Sequence, residues 1–148
     1  MGLEIERKFL VDKLKWEKAK PENGLKVIQG YILKSVEKTV RVRTKGNQGF
    51  ITIKGKTKGI SRSEFEYTIP YEEAVKMLEE FCGDKIIKTR YELTFGKFVW
   101  EVDEFESPKT GLILAEIELS NESEHFLCPD WLGKEVSGQS EYYNANMI

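Results

Sequence analysis

The sequence predicts an α+β domain in which about eight short strands form an antiparallel sheet or barrel. Three observations favour this class: apolar and polar residues alternate in many short segments, most of these segments are joined by turns, and few segments have a helical pattern. The chain has 148 residues, of which 40% are hydrophobic, and this is enough to bury one core. We therefore expect residues 1–148 to form a single domain.

Eight segments have the two-residue alternation of a strand with one buried face. Turn residues separate them, most clearly in the Gly46-Asn47-Gln48-Gly49 sequence. Because successive segments are joined by such short connections, antiparallel pairing is the expected arrangement. The predicted strands are Leu3–Val11, Leu25–Leu33, Thr39–Thr44, Gly49–Gly55, Ser61–Ile69, Lys85–Phe95, Lys97–Glu104 and Leu112–Leu119.

The clearest helical pattern covers Tyr71–Phe81. It follows a proline, has two glutamates in its first turn and places four apolar residues on one face: Ala74, Val75, Leu78 and Phe81. A shorter charged helix is predicted over Asp12–Lys20, with Asp12 as its N-cap. Two further helices are expected, one over Ser120–Pro129 and one in the tail over Glu141–Met147.

Composition excludes several classes of protein. The 23 Lys and Arg and the 25 Asp and Glu give a net charge of −2, which argues against a strongly basic nucleic-acid-binding protein. No apolar run approaches the length of a membrane span, and the charged first residues do not fit a signal peptide. Two cysteines without a local Cys/His pattern predict neither a disulfide framework nor a zinc site. We expect a soluble cytoplasmic protein without a membrane or nucleic-acid partner.

Seven of the predicted strands have one apolar and one charged side, and each charged side mostly carries one sign. A sheet with one face in water has this pattern without any function. If the sheet instead closes with that face inward, like charges repel in a poorly hydrated space and require cations for the acids and a polyanion for the bases. The pattern alone leaves both interpretations open. The charge pairs are Glu4/Glu6, Arg41/Arg43, Glu64/Glu66, Lys88/Arg90, Glu101/Asp103 and Glu116/Glu118.

The segment Glu4-Ile5-Glu6-Arg7-Lys8 resembles the ExExK motif of the CYTH superfamily, also called triphosphate tunnel metalloenzymes. The resemblance extends over nearly the whole chain, because further motifs follow in order: Gln29-Gly30-Tyr31, Arg41-x-Arg43, Thr52-Ile53-Lys54-Gly55, Glu64-x-Glu66, Lys88-x-Arg90, Glu101-Val102-Asp103 and Glu116-x-Glu118. It implies an eight-stranded antiparallel closed β-barrel, a tunnel with a charged lumen and helices packed outside. The segment 142–146 is similar to the terminal helix that plugs one tunnel end in the short bacterial branch.

The resemblance also implies an enzyme that acts on triphosphates with Mg²⁺ or Mn²⁺. The expected activity is metal-dependent hydrolysis of a triphosphate, with inorganic tripolyphosphate, cleaved to pyrophosphate and phosphate, as the first candidate substrate. Nucleoside or thiamine triphosphate are further candidates. Phosphoryl transfer depends mainly on positioning and charge neutralisation, so the lack of a Ser/His or Cys/His pair agrees with this expectation.

Divalent cations prefer carboxylate oxygens, and the expected metal ligands are Glu4, Glu6, Glu64, Glu66, Asp103, Glu116 and Glu118, with Glu101 as a further candidate. For Glu64 and Glu66, ion pairing with Arg62 or Lys88 is the alternative. The basic residues expected to bind the phosphates are Lys8, Arg41, Arg43, Lys54, Lys88 and Arg90.

In the expected mechanism, one cation bridges the phosphates and a second, weaker one lowers the pKa of the attacking water. The residues expected to act in catalysis are Glu6, Lys88 and Tyr31. A lysine crowded by other cations has a lowered pKa, so Lys88, together with Tyr31, is the candidate for proton transfer.

Three other functions compete with hydrolysis. The first is a class IV-type adenylate cyclase that makes cyclic AMP from ATP, the second a non-catalytic polyphosphate- or nucleotide-binding module, and the third nucleic-acid binding through the basic strands. The complete set of carboxylates argues against the binding module, since pure anion binding needs only the bases. Because barrels of this size often associate in pairs, we favour a homodimer.

Overall fold

The computed structural model describes residues 2–148 as one closed barrel with two helices. Two single 3₁₀ turns, Ser140–Tyr142 and Asn144–Asn146, follow the last strand. The elements in chain order are β1 (Gly2–Val11), α1 (Lys13–Ala19), β2 (Leu25–Lys34), β3 (Lys38–Lys45), β4 (Gln48–Gly55), β5 (Ser61–Ile69), α2 (Tyr71–Phe81), β6 (Ile86–Phe95), β7 (Phe98–Ser107), β8 (Ile113–Glu118) and β9 (Leu132–Glu135).

The barrel is antiparallel throughout, with the strand order β5-β4-β3-β2-β6-β7-β8-β1. Pairing between β1 and β5, in which Gly2 lies opposite Glu64 and Ile5 opposite Ser61, closes the ring. The short β9 is added outside this ring, where it pairs with the end of β1. The expected eight-stranded closed barrel with outer helices is confirmed. Closure gives each of these eight strands a pairing partner on both sides.

The outer face of the barrel holds the main apolar core. Here Trp16 of α1, Trp100 of β7 and Trp131 pack edge to face, with ring centroids 5.2 to 5.7 Å apart. On another side of the barrel, α2 lays Ala74 and Leu78 onto β3 and β4. The alternation of the strands thus places the apolar sides outward under the helices and the charged sides inward.

The apolar pattern changes sides at one end of the lumen. Ile86, Phe105 and Leu114 point inward, on the same strand faces that carry charged residues elsewhere in the lumen. Val136 and Met147 of the tail pack against them. All five side chains are buried, so apolar atoms fill this end of the barrel.

Two helix predictions are wrong. The segment 120–129 is irregular, because side chains there bond to nearby backbone: Glu124 accepts from the amide and hydroxyl of Ser120, and Asn121 accepts from the amide of Ser123. Such local bonds compete with the helical ones. In the tail, only the two 3₁₀ turns form. Of the two cysteines, Cys82 is buried beside α2, whereas Cys128 is exposed. Within residues 2–148, no helix has the length and apolar character needed to cross a bilayer.

Candidate active site in the barrel lumen

The lumen contains a cavity of about 670 Å³ whose wall is made of charged side chains. The alternation that places apolar residues outward on each strand turns the ionisable ones into this space. The alternative of an open, hydrated sheet face is therefore wrong. Of the predicted site residues, all except Asp103 line the cavity: Glu4, Glu6, Lys8, Tyr31, Arg41, Arg43, Lys54, Glu64, Glu66, Lys88, Arg90, Glu116 and Glu118. Arg62 and Glu101 line it as well.

The acidic side of the cavity is formed mainly by β1 and β8, which are neighbours in the barrel. Glu6 lies directly opposite Glu118 in the strand register. Glu116 is two positions away on β8, opposite Lys8. Burial, followed by the charges of Glu116 and Glu4, raises the pKa of Glu6 well above its ordinary value. Burial also opposes ionisation of Glu116, but Lys8 and a hydrogen bond with Glu6 keep the pKa of Glu116 low. Burial and the neighbouring charges thus favour the protonated form of Glu6 and the ionised form of Glu116.

A second acidic group lies where β1 meets β5. Lys54 donates to both oxygens of Glu4, at 3.1 and 3.2 Å, and its ammonium is 3.3 Å from Glu64. The Nε of Arg62 donates to Glu4 at 3.3 Å. Burial alone would raise the pKa of Glu4, but Lys54 and Arg62 lower it to about 2. Glu4 is therefore ionised at neutral pH.

The carboxylates occur in pairs rather than in a closed ligand cage. Within residues 2–148, no three Asp, Glu, His or Cys side chains converge at metal-ligating distance. Mg²⁺ in phosphate-processing sites is held by one or two carboxylates together with water and substrate oxygens, so a pair of acids beside a phosphate-binding surface fits this ion. The raised pKa of Glu6 supports the same view, because a cation would relieve the repulsion that keeps Glu6 protonated.

The opposite side of the cavity carries the two arginines of β3. The Nη2 atoms of Arg41 and Arg43 lie 3.4 and 3.3 Å from the same oxygen of Glu66, which also accepts from Thr52 at 2.7 Å. The Nε–H groups of both arginines are buried and have no hydrogen-bond partner among the described residues. Burial, together with the charges of Arg41 and Arg90, lowers the pKa of Arg43 to about 10. Unpartnered guanidinium donors of this kind favour an anion in the lumen.

Asp103 organises the bases of β6 instead of facing the cavity. It accepts two hydrogen bonds from Arg90, both at 2.8 Å, and a third contact of 2.8 Å from the Nζ of Lys88. Its side chain is 1% exposed, and both oxygens are occupied. Burial opposes its charge, yet Arg90 and Lys88 lower its pKa to about 2. The expectation that Asp103 is a metal ligand is therefore not supported by its position.

Glu66 also lies away from the acidic side. Its contacts with Arg41, Arg43 and Thr52 place it among the bases, which agrees with the ion-pair alternative, although with different partners from those predicted. Tyr31 lines the cavity as expected, but among the described residues no hydrogen bond joins it to Lys88.

Sequence reasoning missed the contribution of the tail. Lys8 donates to the carbonyl of Tyr142 at 3.0 Å, and Lys88 donates to Oδ1 of Asn144 at 2.8 Å. Gln29, which is fully buried, donates to the same oxygen at 3.2 Å. The only signal in the sequence was the resemblance of the segment 142–146 to a plug, which gives no indication of which side chain enters the lumen.

Acidic and basic residues neutralise one another across the lumen. Each of the buried cations Lys54, Lys88 and Arg90 has at least one carboxylate partner within 3.3 Å. Ion pairs therefore compensate part of the charge that closure brings together, and the expectation that bound ligands compensate the rest stays a prediction.

The family of the chain follows from its match to a family model. The model described as the CYTH domain matches residues 2–146. The chain belongs to the CYTH family. The match runs from the start of β1 to the second 3₁₀ turn, so it includes all of the CYTH motifs found in the sequence and the tail that contacts Lys8 and Lys88.

Two curated CYTH-like relatives align over nearly their full length. A protein of Acetivibrio thermocellus named inorganic triphosphatase is 45% identical, and the alignment covers 100% of this chain and 94% of the relative. A protein of Nitrosomonas europaea with the same name is 32% identical, with 95% and 93% covered.

Solved structures share the CYTH barrel. The crystal structure of an inorganic triphosphatase superposes with a TM-score of 0.64 at 28% identity, over 97% of this chain and 92% of that one. A protein from Bacillus halodurans has a TM-score of 0.64 at 20% identity, with 82% and 84% covered, and this likeness concerns the fold alone.

Proposed function

We propose that the protein is an inorganic triphosphatase that hydrolyses tripolyphosphate to pyrophosphate and phosphate. The observation that carries the proposal is the division of one lumen into an acidic side and a basic side with unpartnered arginine donors. A triphosphate has about four or five negative charges, which the basic side chains can neutralise. The carboxylates can bind the divalent cation that accompanies such a substrate. The two relatives named inorganic triphosphatase support this substrate.

We propose that Glu4, Glu6, Glu116 and Glu118 hold Mg²⁺ or Mn²⁺ together with the phosphate oxygens, with Glu64 close to the same group. When bound, the cation supplies charge neutralisation at the phosphates and a water of lowered pKa. Before substrate enters, burial and the neighbouring acids favour the protonated form of Glu6, and a bound cation would favour its ionised form.

The basic residues position the phosphate chain. Arg41 and Arg43 line one side of the lumen, and Lys54 and Lys8 line other parts of its wall. Asp103 holds Arg90 at two points, so the guanidinium keeps a fixed direction. Because these groups are already held in place, little reorganisation is needed when substrate binds.

Lys88 is the proposed group for proton transfer. Burial lowers its pKa to about 8, even though Asp103 attracts its charge. Near neutral pH such a lysine can take up or give a proton, which an ordinary lysine cannot. We propose that Tyr31 acts from another part of the same cavity wall and not as a direct hydrogen-bond partner of Lys88.

The test is a product assay with purified protein. Tripolyphosphate, ATP and thiamine triphosphate are supplied separately with Mg²⁺ or Mn²⁺, and phosphate, pyrophosphate and cyclic AMP are measured. We expect fast release of equal amounts of phosphate and pyrophosphate from tripolyphosphate. Cyclic AMP from ATP as the main product would establish the cyclase instead, and tight binding without turnover would establish a binding module.

A matched pair of variants connects the assay to the lumen. Arg41→Ala removes a donor that faces the phosphates, whereas Lys45→Ala removes a base of the same strand that pairs with Glu92 away from the cavity. We expect a loss of at least about 100-fold in kcat/KM for the first and near wild-type rates for the second. The homodimer stays a prediction.

A further inference from the structure

We propose that Asn144 is a positioning residue that directs the free hydrogen-bonding position of the Lys88 nitrogen into the lumen. This inference rests on the proposed triphosphatase function and adds one residue to it. It concerns a side chain of the irregular tail, outside every strand of the barrel.

The amine of Lys88 is held from two sides. Its Nζ lies 2.8 Å from Oδ2 of Asp103 and donates to Oδ1 of Asn144, also at 2.8 Å. The ring of Phe105 covers it, with the centroid 5.3 Å from Nζ. The side chain is 2% exposed, yet Lys88 is part of the cavity wall.

Two fixed acceptors determine where the third position of the nitrogen points. An ammonium has three N–H donors, and neither a carboxylate nor an amide oxygen can donate in return. Asp103 and Asn144 therefore occupy two of the three donors, and the third is left for whatever fills the cavity. If the nitrogen loses one proton, the two remaining N–H bonds stay on the same acceptors and the lone pair takes the third direction.

Asn144 is itself held in place. Gln29 donates to the same Oδ1 at 3.2 Å, and two donors at one atom identify that atom as the amide oxygen rather than the nitrogen. On either side of Asn144, the carbonyl of Tyr142 accepts from Lys8 and the side chain of Met147 is buried in the apolar end of the lumen. Hydrogen bonds from three separate strands therefore hold the part of the tail that carries the Asn144 acceptor.

Loss of this acceptor affects turnover more than binding. Without Asn144 Oδ1, the Lys88 nitrogen has one fixed acceptor and can rotate its free position away from the substrate. The arginines that bind the phosphate chain are unchanged. A misplacement of about 1 Å costs on the order of 100-fold in rate, so a decrease in kcat with a nearly constant KM is the expected result.

The test compares isosteric substitutions. Asn144→Leu removes the acceptor, Asn144→Asp retains it, and Asn146→Leu is the control, since the amide of Asn146 donates to Ser140 within the tail and not to a lumen lysine. Steady-state hydrolysis of tripolyphosphate with Mg²⁺ is measured at a temperature where circular dichroism shows each variant folded. We expect kcat to fall about 10- to 100-fold for Asn144→Leu, with KM within about 2-fold, and to stay near wild type for Asn146→Leu. The carboxylate of Asn144→Asp lies beside the Lys88 nitrogen and raises the pKa of Lys88, so the pH profile of this variant should shift to higher pH.

Each contrary result is decisive. A wild-type kcat in Asn144→Leu overturns the inference, and so does an equal loss in Asn146→Leu. Asn144→Ala removes the same acceptor with less bulk, and failure of both this variant and Asn144→Leu to fold would assign Asn144 a structural role instead. These outcomes leave the proposed function intact. A wild-type protein that does not cleave tripolyphosphate overturns both.

Discussion

Glu6 illustrates how one side chain can be costly for folding and still belong in a functional cavity. It lies opposite Glu118 in the strand register, and the charges of Glu116 and Glu4 act on it. Burial and these two neighbouring charges raise its pKa well above 4.5. Ionised Glu6 therefore destabilises the protein unless a cation is present.

The substitution Glu6→Gln removes this cost, and we expect it to abolish turnover while raising thermal stability in the presence of a chelator. A raised pKa in the folded state means that the folded protein holds the proton more tightly than the unfolded chain, so stability falls as the pH rises from 4.5 through the folded pKa. The gain in Tm relative to wild type should thus be largest above neutral pH and vanish below about pH 4.5. Thermal melts across this range measure it, and an equal gain at every pH would contradict it.

Asp103 shows the reverse case, a buried acid that stabilises the fold. The variant Asp103→Asn leaves Lys88 and Arg90 without their shared counter-charge, and we expect a loss of about 3–5 kcal/mol at pH 7. The pKa of Asp103 is lowered from 3.8 to about 2, so its stabilisation is present above pH 3.8 and is lost as the pH falls towards 2. Urea denaturation at pH 7 and near pH 2 tests both statements. A difference between the two proteins that does not shrink in acid would refute them.

At the scale of elements, the contact between α2 and the barrel wall depends on small residues. A Cβ added to Gly30 of β2 would lie 2.8 Å from the Cβ of Cys82 and 3.4 Å from Leu78. The Cβ of Cys82 is not the free end of a flexible side chain, so the end of α2 itself would have to move. This packing also supports β3, because Leu78 and Val42 belong to the same buried cluster.

We therefore expect Gly30→Ala to destabilise the protein by about 1–3 kcal/mol through overpacking. The matched control is Gly83→Ala, since nothing lies within 4 Å of a Cβ at Gly83. Denaturant melts of the two variants give the comparison. Equal stabilities would show that α2 adapts to the added methyl group without cost.

The elements also show what could be predicted from the sequence. Strand boundaries and inward-facing residues follow from a period of two, because this period directly determines the side of the sheet on which a side chain lies. The segment 120–129 has no such period, and its glutamate and asparagine side chains accept hydrogen bonds from backbone amides that a helix would use otherwise. The position of Asn144 beside Lys88, and that of Asp103 between Lys88 and Arg90, depend on contacts between distant segments that no local pattern reports.

At the scale of the whole molecule, ion pairs compensate only part of the charge in the lumen. The buried Nε–H groups of Arg41 and Arg43 have no partner among the described residues, and burial with the acidic neighbours raises the pKa of Glu6, so both sides remain incompletely compensated. Filling both sides together should stabilise the fold more than filling either one.

We expect Mg²⁺ with a non-hydrolysable imido analogue of tripolyphosphate to raise Tm by about 5–10 °C at about 100 times Kd, which corresponds to about 2.7 kcal/mol. Mg²⁺ alone or the analogue with a chelator should give smaller shifts. Sodium sulfate at equal ionic strength controls for general salt effects. A shift with sulfate as large as that with the complete ligand would show that the lumen does not recognise the phosphate chain.

The pairing of β1 has a consequence for the order of events during synthesis. This segment leaves the ribosome before all of its neighbours, yet its hydrogen-bonding partners are β5, β8 and β9, the last of which is about 120 residues downstream. Pairing over such separations is slow, and until then its glutamates remain in water. Transient exposure of a strand with four charged residues carries less risk of aggregation than exposure of a wholly apolar one. The charged residues that line the folded barrel therefore also reduce the risk of aggregation of the nascent polypeptide before β1 pairs with its partner strands.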